Sequence, residues 1–168
     1  MAYILFRNKL AQHFSKVIAL EPEPQNYGLL YKNVLVNGLS NKVMVLPVAA
    51  SDRDGYADLY VKACSGAHSL EDSRSARRKV KVITMKIDTL VRILNVQKVD
   101  VVKIDVEGHE DRVIMGMNEL LRRRPPRVLV VETKKDNHSL REILCQLGYK
   151  IIVLDCWDFT CNYGFYRG

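Results

Sequence analysis

Long apolar runs are absent from this sequence of 168 residues. The longest, Val128 to Val131 and Ile151 to Leu154, fall far short of the ~20 residues that a membrane-spanning helix needs. Arg7 and Lys9 interrupt the N-terminal apolar stretch, and no small-residue cleavage site follows it, so no secretory signal is predicted. These absences argue against a membrane partner, and we expect a cytoplasmic protein.

Cysteine is scarce as well, and its spacing is uninformative. The four cysteines are Cys64, Cys145, Cys156 and Cys161. They form no CxxC pair, and no histidine lies at zinc-ligand spacing, so no metal site is predicted. We interpret the cysteines as small buried hydrophobic residues. A disulfide between Cys156 and Cys161 would require both to lie on a hairpin, and is the less favoured reading in a cytosolic chain.

What the sequence does have is the composition of a globular domain and an excess of basic residues. Hydrophobic residues make up 48% and charged residues 27%, and the net charge is +7. Two basic clusters stand out: Arg74, Arg77, Arg78, Lys79 and Lys81, and then Arg122, Arg123, Arg124 and Arg127. The second falls at a predicted helix end, where cations complement the helix dipole. The first lies in a polar segment, residues 74–81, that could bind nucleic acid.

Strand and helix patterns alternate along the chain. Strands are predicted at Val17–Leu20, Val43–Leu46, Tyr56–Lys62, Val80–Met85, Val99–Ile104, Val128–Glu132 and Tyr149–Leu154, with a last strand between Cys156 and Tyr166. Helices are predicted at Tyr3–Phe14, Gln25–Asn37, Ile87–Leu94, Asp111–Arg123 and Ser139–Leu147. Residues 63–80 are interpreted as a surface loop insertion. The alternation predicts one α/β domain, with a mainly parallel sheet covered by helices on both faces.

Polar residues that directly follow the predicted strands are candidates for a site, because ligands of open α/β sheets bind at the carboxyl ends of the strands. They are Glu21, Ala50 with Ser51, Asp105 with Glu107, and Glu132. An acidic residue placed like Glu21 can accept hydrogen bonds from both hydroxyls of a ribose. A solvated strand end accounts for Glu21 equally well.

The segment KIDVEGHE, residues 103–110, holds the densest group of titratable side chains. Asp105 and Glu107 could orient an ammonium group, take a proton from a hydroxyl, or bind a divalent cation. Capping of the following helix is the structural alternative. We favour a site for Asp105 and Glu107 and capping for Glu110 and Asp111. His109 could be a general base, although a lone histidine is more often structural or merely exposed.

The segments EPEPQN and DVEGHE, with IDTLV between them and PRVLVVET after them, resemble the FkbM-type methyltransferase family from about Val17 to Thr133. The resemblance implies a Rossmann-like methyltransferase fold and S-adenosylmethionine as methyl donor. It also implies an O-methyltransferase that acts on a hydroxyl of a sugar or another small metabolite. By position, Glu21 would contact the ribose, while Ala50 and Ser51 would lie near the adenine.

The same resemblance places the acceptor near the DVEGHE segment. Asp105 and Glu107 would face the methionine end of the cofactor and the acceptor, and Ser69 would lie in the loop that helps to form the acceptor pocket. A neutral hydroxyl is a poor nucleophile, so a base is needed. Glu107 is the first choice for this base and His109 the second.

The resemblance breaks at the N-terminal end. Family members have a strand and a turn of the form D-x-G-A-N-x-G before this point, whereas no glycine precedes Gly28 here. We therefore expect the first, central strand to be missing, Val17–Leu20 to pair directly with Val101–Ile104, and activity to be weak. Alternatives are a non-catalytic remnant that binds nucleic acid or another anionic partner, a misplaced start, or a gap that another segment or a second copy of the chain fills by strand addition.

Overall fold

The computed structural model of the protein describes residues 16–62, 68–71, 73 and 76–168. Its strands are β1 (Val17–Leu20), β2 (Val43–Leu46), β3 (Val48–Ala50), β4 (Gly55–Val61), β5 (Arg78–Met85), β6 (Val101–Ile104), β7 (Val128–Lys134), β8 (Lys150–Cys156) and β9 (Thr160–Tyr166). Its helices are α1 (Pro24–Val36), α2 (Ile87–Ile93), α3 (Glu110–Met115), α4 (Asn118–Arg123) and α5 (His138–Gln146). Most bounds agree with the predicted ones within a few residues. The helix predicted at 3–14 lies outside the described residues.

The described strands form three sheets, with the orders β1-β2, β3-β5-β4 and β6-β7-β9-β8. The pairs β1–β2, β3–β5 and β6–β7 are parallel, whereas β4 and β9 run antiparallel to their neighbours. The prediction of a mainly parallel sheet is therefore wrong, and the sheets are mixed. For β8 and β9 the reason is local, because a short connection of residues 157–159 can join only antiparallel strands.

The predicted pairing of β1 with β6 is also wrong within the described part of the chain. β1 pairs with β2, from Val17 opposite Val43 to Leu20 opposite Leu46, and β6 pairs with β7. A cavity of about 170 Å³ separates the beginnings of the two strands and is lined by residues 16–18 and 98–102, among others. Among the described residues, a cavity rather than a hydrogen-bonded ladder therefore lies between β1 and β6.

The main core lies on one face of the β6-β7-β9 sheet. Its buried strand residues alternate along each strand and include Val102, Ile104, Leu129, Val131, Tyr163 and Phe165. Helices α2 to α5 cover this face with Leu90, Val91, Val113, Ile114, Leu120, Leu121, Leu140 and Leu144. Each such side chain contributes about 1.5 to 3 kcal/mol on burial, so this layer holds the carboxyl ends of β6 and β7 in place.

The single helix predicted at 111–123 is divided into α3 and α4 by Gly116 and Met117. The backbone of Gly116 packs so closely on the end of β3 that a Cβ atom there would lie 1.9 Å from the carbonyl oxygen of Ser51. Met117 is completely buried. After the break, Asp88 accepts hydrogen bonds from the first backbone N–H groups of α4. The break thus brings Ser51 next to the DVEGHE segment.

A disulfide joins Cys156 to Cys161 across the β8–β9 hairpin, with their Cα atoms 4.1 Å apart. The less favoured disulfide is therefore present; Cys161 is buried in the core as expected, whereas Cys156 and the free thiol Cys145 are exposed. The expected cytoplasmic location stays a prediction. Among the described helices, none is long and apolar enough to span a bilayer.

Gly116→Ala should lower the free energy of unfolding by about 1 to 3 kcal/mol, because the new methyl group overlaps the backbone of Ser51. Chemical denaturation measures the change. Gly28→Ala in α1 is the matched control, since a Cβ there meets no atom within 4 Å. That control should gain about 0.5 to 1 kcal/mol from the better helix former. Equal effects in the two variants would contradict the close packing at Gly116.

Candidate active site

The chain turns sharply after β6. Glu107 has a φ of +50° and Gly108 a φ of +96°, both in the left-handed region. Glycine adopts this conformation freely, whereas another residue pays about 1 to 3 kcal/mol, so the surroundings must hold Glu107 in place. The Gly108 N–H donates to Glu110 Oε1 at 2.7 Å, and Ser69 Oγ donates to the Glu107 carbonyl at 2.9 Å. The turn is thus fixed from two sides.

A cavity of about 520 Å³ lies beside this turn, at the carboxyl ends of β6 and β7. Its lining residues are Lys62, Glu71, Ser73, Asp105, Glu107, Gly108, Glu110, Glu132, Thr133, Lys134 and Thr160. The structure therefore brings the carboxylates that follow β6 and end β7 into one space, as expected for strand ends on the same edge of a sheet. Their roles stay predictions.

Acidic side chains crowd this cavity, and their pKa values reflect it. Burial, followed by the charge of Asp105, raises the pKa of Glu107 and that of Glu132. Burial also raises the pKa of Glu110. Lys103 offsets part of the negative charge, because its Nζ lies 3.5 Å from Asp105 Oδ2 and 3.8 Å from Glu132 Oε2. The arrangement favours binding of a cation or uptake of a proton.

His109 bridges two loops instead of facing the cavity. Its buried ring places Nε2 3.0 Å from Ser51 Oγ and Nδ1 2.6 Å from Glu71 Oε1. Ser51 Oγ also lies 3.1 Å from Asp52 Oδ1, and Asp52 forms a 2.8 Å ion pair with Arg112. Since both ring nitrogens are engaged, the geometry does not favour His109 as the base that meets an acceptor. It is placed as a positioning residue.

The proton on His109 sets the direction of the Ser51 hydroxyl. A neutral ring that donates from Nδ1 to Glu71 leaves Nε2 to accept from Ser51. A protonated ring donates from both nitrogens, and Ser51 then donates to Asp52. Burial lowers the pKa of His109, and the Glu71 carboxylate opposes that effect only in part. The neutral ring is therefore favoured at neutral pH.

The other candidate residues lie outside the cavity wall. Glu21 directly follows β1 and is fully buried, with Oε1 accepting from the Glu23 N–H at 2.8 Å. Ala50 ends β3 and is buried. Ser69 is buried as well, and its backbone pairs with Tyr60 at the edge of β4.

The interpretation of residues 63–80 as a surface loop insertion stays a prediction, because its described part is mixed: Glu71, Ser73 and Arg77 are exposed, whereas His68 and Ser69, whose backbone pairs with Tyr60, are buried. This strand pairing draws residues 68–69 inward, and β5 already begins at Arg78. Residues 63–67, 72, 74 and 75 lie outside the described part of the chain.

Comparison with known proteins decides the family. A family model described as methyltransferase FkbM domain matches residues 3–151. The chain belongs to the FkbM methyltransferase family. A comparison with curated proteins gave no match.

One solved structure supports the fold of this FkbM domain. The crystal structure of methyltransferase FkbM from Methylobacillus flagellatus KT superposes with a TM-score of 0.62 at 18% sequence identity. The similarity covers 91% of this chain and 37% of that one. The FkbM domain described here thus spans little more than a third of the length of its structural neighbour, and the likeness concerns the fold alone.

Sequence reasoning missed Glu71 and Lys103 of the FkbM domain. Glu71 contacts His109 from a polar loop, and Lys103 lies between Asp105 and Glu132 from within a strand. Lys103 lies in β6, two residues before Asp105, and this spacing is the sequence signal for the contact between them. Nothing in the sequence marks Glu71, since it follows no predicted strand. Within the described residues, no group of three or more His, Cys, Asp or Glu side chains is arranged to hold a metal ion.

Several basic residues of the FkbM domain are engaged internally. Arg78 forms a 2.7 Å ion pair with buried Glu23, and Lys79 forms one of 2.9 Å with Asp58. Arg124 donates to two backbone carbonyls of the loop that precedes β6. Arg74 lies outside the described residues. These contacts reduce the positive charge that segment 74–81 can offer to a polyanion, and nucleic-acid binding stays a prediction.

Glu71→Gln should lower the pKa of His109 further, because the Glu71 charge now opposes the effect of burial. Nuclear magnetic resonance titration of the imidazole protons measures it. The folded-state pKa of His109 lies below the ordinary value of about 6.5, so the unfolded chain takes up this proton at a higher pH than the folded chain. Folding stability is therefore lost as the pH falls through the folded-state pKa, and Glu71→Gln should lose more stability than the unmodified chain. Glu142→Gln on the exposed side of α5 is the control. An unchanged His109 pKa in Glu71→Gln would contradict the contact.

Proposed function

We propose that this FkbM domain serves S-adenosylmethionine-dependent transfer of a methyl group to a hydroxyl oxygen of a sugar or another small metabolite. The observation that carries the proposal is the acidic cavity of about 520 Å³ at the carboxyl ends of β6 and β7. Ligands of open α/β sheets bind at this end of the strands. Membership of the FkbM methyltransferase family supports methyl transfer as the chemistry.

The residues of the cavity suit the cationic half of the cofactor. When bound, S-adenosylmethionine supplies an electrophilic methyl group on a positively charged sulfur, and its methionine end carries an ammonium group. Asp105 and Glu132 offer carboxylates to such charges, Lys103 lies between them as a compensating cation, and Lys62 and Lys134 also line the cavity. Glu21 would hold the ribose hydroxyls from the end of β1, and Ala50 and Ser51 would lie toward the adenine.

Glu107 is proposed as the general base. Burial and the neighbouring Asp105 raise its pKa, which makes its carboxylate a better proton acceptor near neutral pH. The proton of the acceptor hydroxyl would pass to Glu107 as the oxygen attacks. The hydrogen bond from Ser69 to the Glu107 carbonyl holds the turn, so that the carboxylate keeps one position. Such positioning can supply up to about 7 to 11 kcal/mol of the barrier.

The charges of the cavity favour a small neutral or cationic acceptor over nucleic acid. A phosphate backbone would meet the carboxylates that line the cavity: Glu71, Asp105, Glu107, Glu110 and Glu132. The cations Arg78 and Lys79 are already paired with Glu23 and Asp58. A binding role through segment 74–81 is therefore the weaker proposal.

Calorimetric titration of the full chain with S-adenosylmethionine tests the cofactor directly. We expect saturable binding that weakens when Asp105 is replaced by Asn, because the carboxylate then no longer faces the ammonium group. Glu119→Gln, at an exposed position of α4, is the control and should bind like the unmodified chain. Heat that shows no saturation in the unmodified chain would overturn the proposed cofactor.

Glu107→Gln should lower the methyl-transfer rate about 10²- to 10⁴-fold while cofactor affinity changes little, because a general base acts in the transition state. Single-turnover kinetics measures the rate. In the unmodified chain the rate should fall as pH drops through the raised pKa of Glu107.

The same variant should melt at a higher temperature at pH 7. A raised carboxyl pKa means that ionised Glu107 destabilises the folded state above its unfolded pKa, and the amide removes that charge. Differential scanning calorimetry measures this gain, with Glu119→Gln again as the control. A Glu107→Gln variant that transfers methyl groups as fast as the unmodified chain would contradict the role of Glu107 as the base.

A further inference from the structure

Strand β8 forms an exposed edge. It pairs with β9 on one side, and no other strand of the described residues pairs with it. All of its residues are exposed, including the consecutive apolar side chains Ile151, Ile152, Val153 and Leu154. Exposed fractions of 46% for Ile152 and 61% for Val153 are large for such side chains in a sheet. An open apolar edge of this kind is a template for pairing with another strand.

A bulge determines which side chains of β8 share a face. Lys150 lies opposite Tyr166, Ile152 opposite Gly164, and Asp155 opposite Asn162, with the register shift between Val153 and Asp155. Residues opposite even-numbered positions of β9 point to the same side of the sheet. Lys150, Ile152 and Asp155 therefore lie in a row on one face, which the sequence alternation alone would not place together.

This row is complementary to itself. We propose that β8 pairs antiparallel with β8 of a second copy of the chain, about a two-fold axis at Ile152. In this register Ile152 meets Ile152 of the second copy, Ile151 meets Val153, and Lys150 meets Asp155. Because the contact is symmetric, the attractive charge pair occurs twice.

Charge and the bulge select this register over its neighbours. An axis at Val153 would place Asp155 opposite Ile152 and leave Lys150 without an acidic partner, and an axis at Ile151 would bury Lys150 against Ile152. Asp155 Oδ1 accepts from Asn162 Nδ2 of the neighbouring β9 at 2.8 Å, which holds the Asp155 side chain on the face that Lys150 and Ile152 share. The edge thus fits a second copy of the same strand, and the charges of Lys150 and Asp155 at its two ends disfavour the other registers.

Sedimentation velocity of the full chain tests the proposal, and a monomer–dimer equilibrium at micromolar concentration is expected. Lys150→Glu and Asp155→Lys should each weaken the dimer about tenfold or more, because like charges then face each other twice. The double variant K150E/D155K should restore it. Lys98→Glu, a charge reversal at an exposed site before β6, is the control.

Ile152→Cys provides an independent readout. Directly opposite residues of antiparallel strands have Cα atoms about 4.5 to 5.5 Å apart, a separation that a disulfide can span. With Cys64 and Cys145 changed to Ser, mild oxidation should give a covalent dimer on a non-reducing gel, whereas Val36→Cys on α1 in the same background should not. A chain that stays monomeric, or a dimer that neither single reversal weakens, would overturn the proposal. A double variant that fails to restore dimerisation would overturn the register.

Discussion

Buried His109 joins three segments that are far apart in the sequence. Its ring meets Ser51 after β3 and Glu71 in the loop after β4, while its backbone follows the left-handed turn at Glu107 and Gly108. Both contacts are made by one rigid ring whose direction is set by the backbone of the turn. The shape of the turn, the position of Glu71 in the cavity wall and the hydroxyl of Ser51 therefore depend on one another.

The cavity has an electrostatic cost that the rest of the fold must offset. Burial raises the pKa values of Glu107, Glu110 and Glu132, so each of these carboxylates would be more stable as an anion in the unfolded chain. A core selected for stability alone would not collect them. Such a concentration of disfavoured charge is typical of sites in which function outweighs stability.

Contacts with the helices hold the β3-β5-β4 sheet against the main core where strand pairing does not. Asp54, in the turn before β4, accepts hydrogen bonds from the Lys86 N–H and the Thr89 hydroxyl at the start of α2. The close approach of Gly116 to Ser51 adds a second connection between β3 and the helices of the main core. The carboxyl ends of β3 and β6 are thereby held near each other without sharing a ladder.

The sequence by itself determined the family, the local elements and the segment that carries the chemistry. The short apolar runs Val17–Leu20 and Val43–Leu46 match the strands residue for residue. β1 is largely buried, as an uninterrupted apolar run predicts, whereas β2 is only partly buried and Met44 is exposed. Only the tertiary structure decided the order of the strands in the sheets, the helix break at Gly116 and the contact between Glu71 and His109. These depend on packing between segments up to 65 residues apart, as for Ser51 and Gly116, and no local pattern encodes such a distance in space.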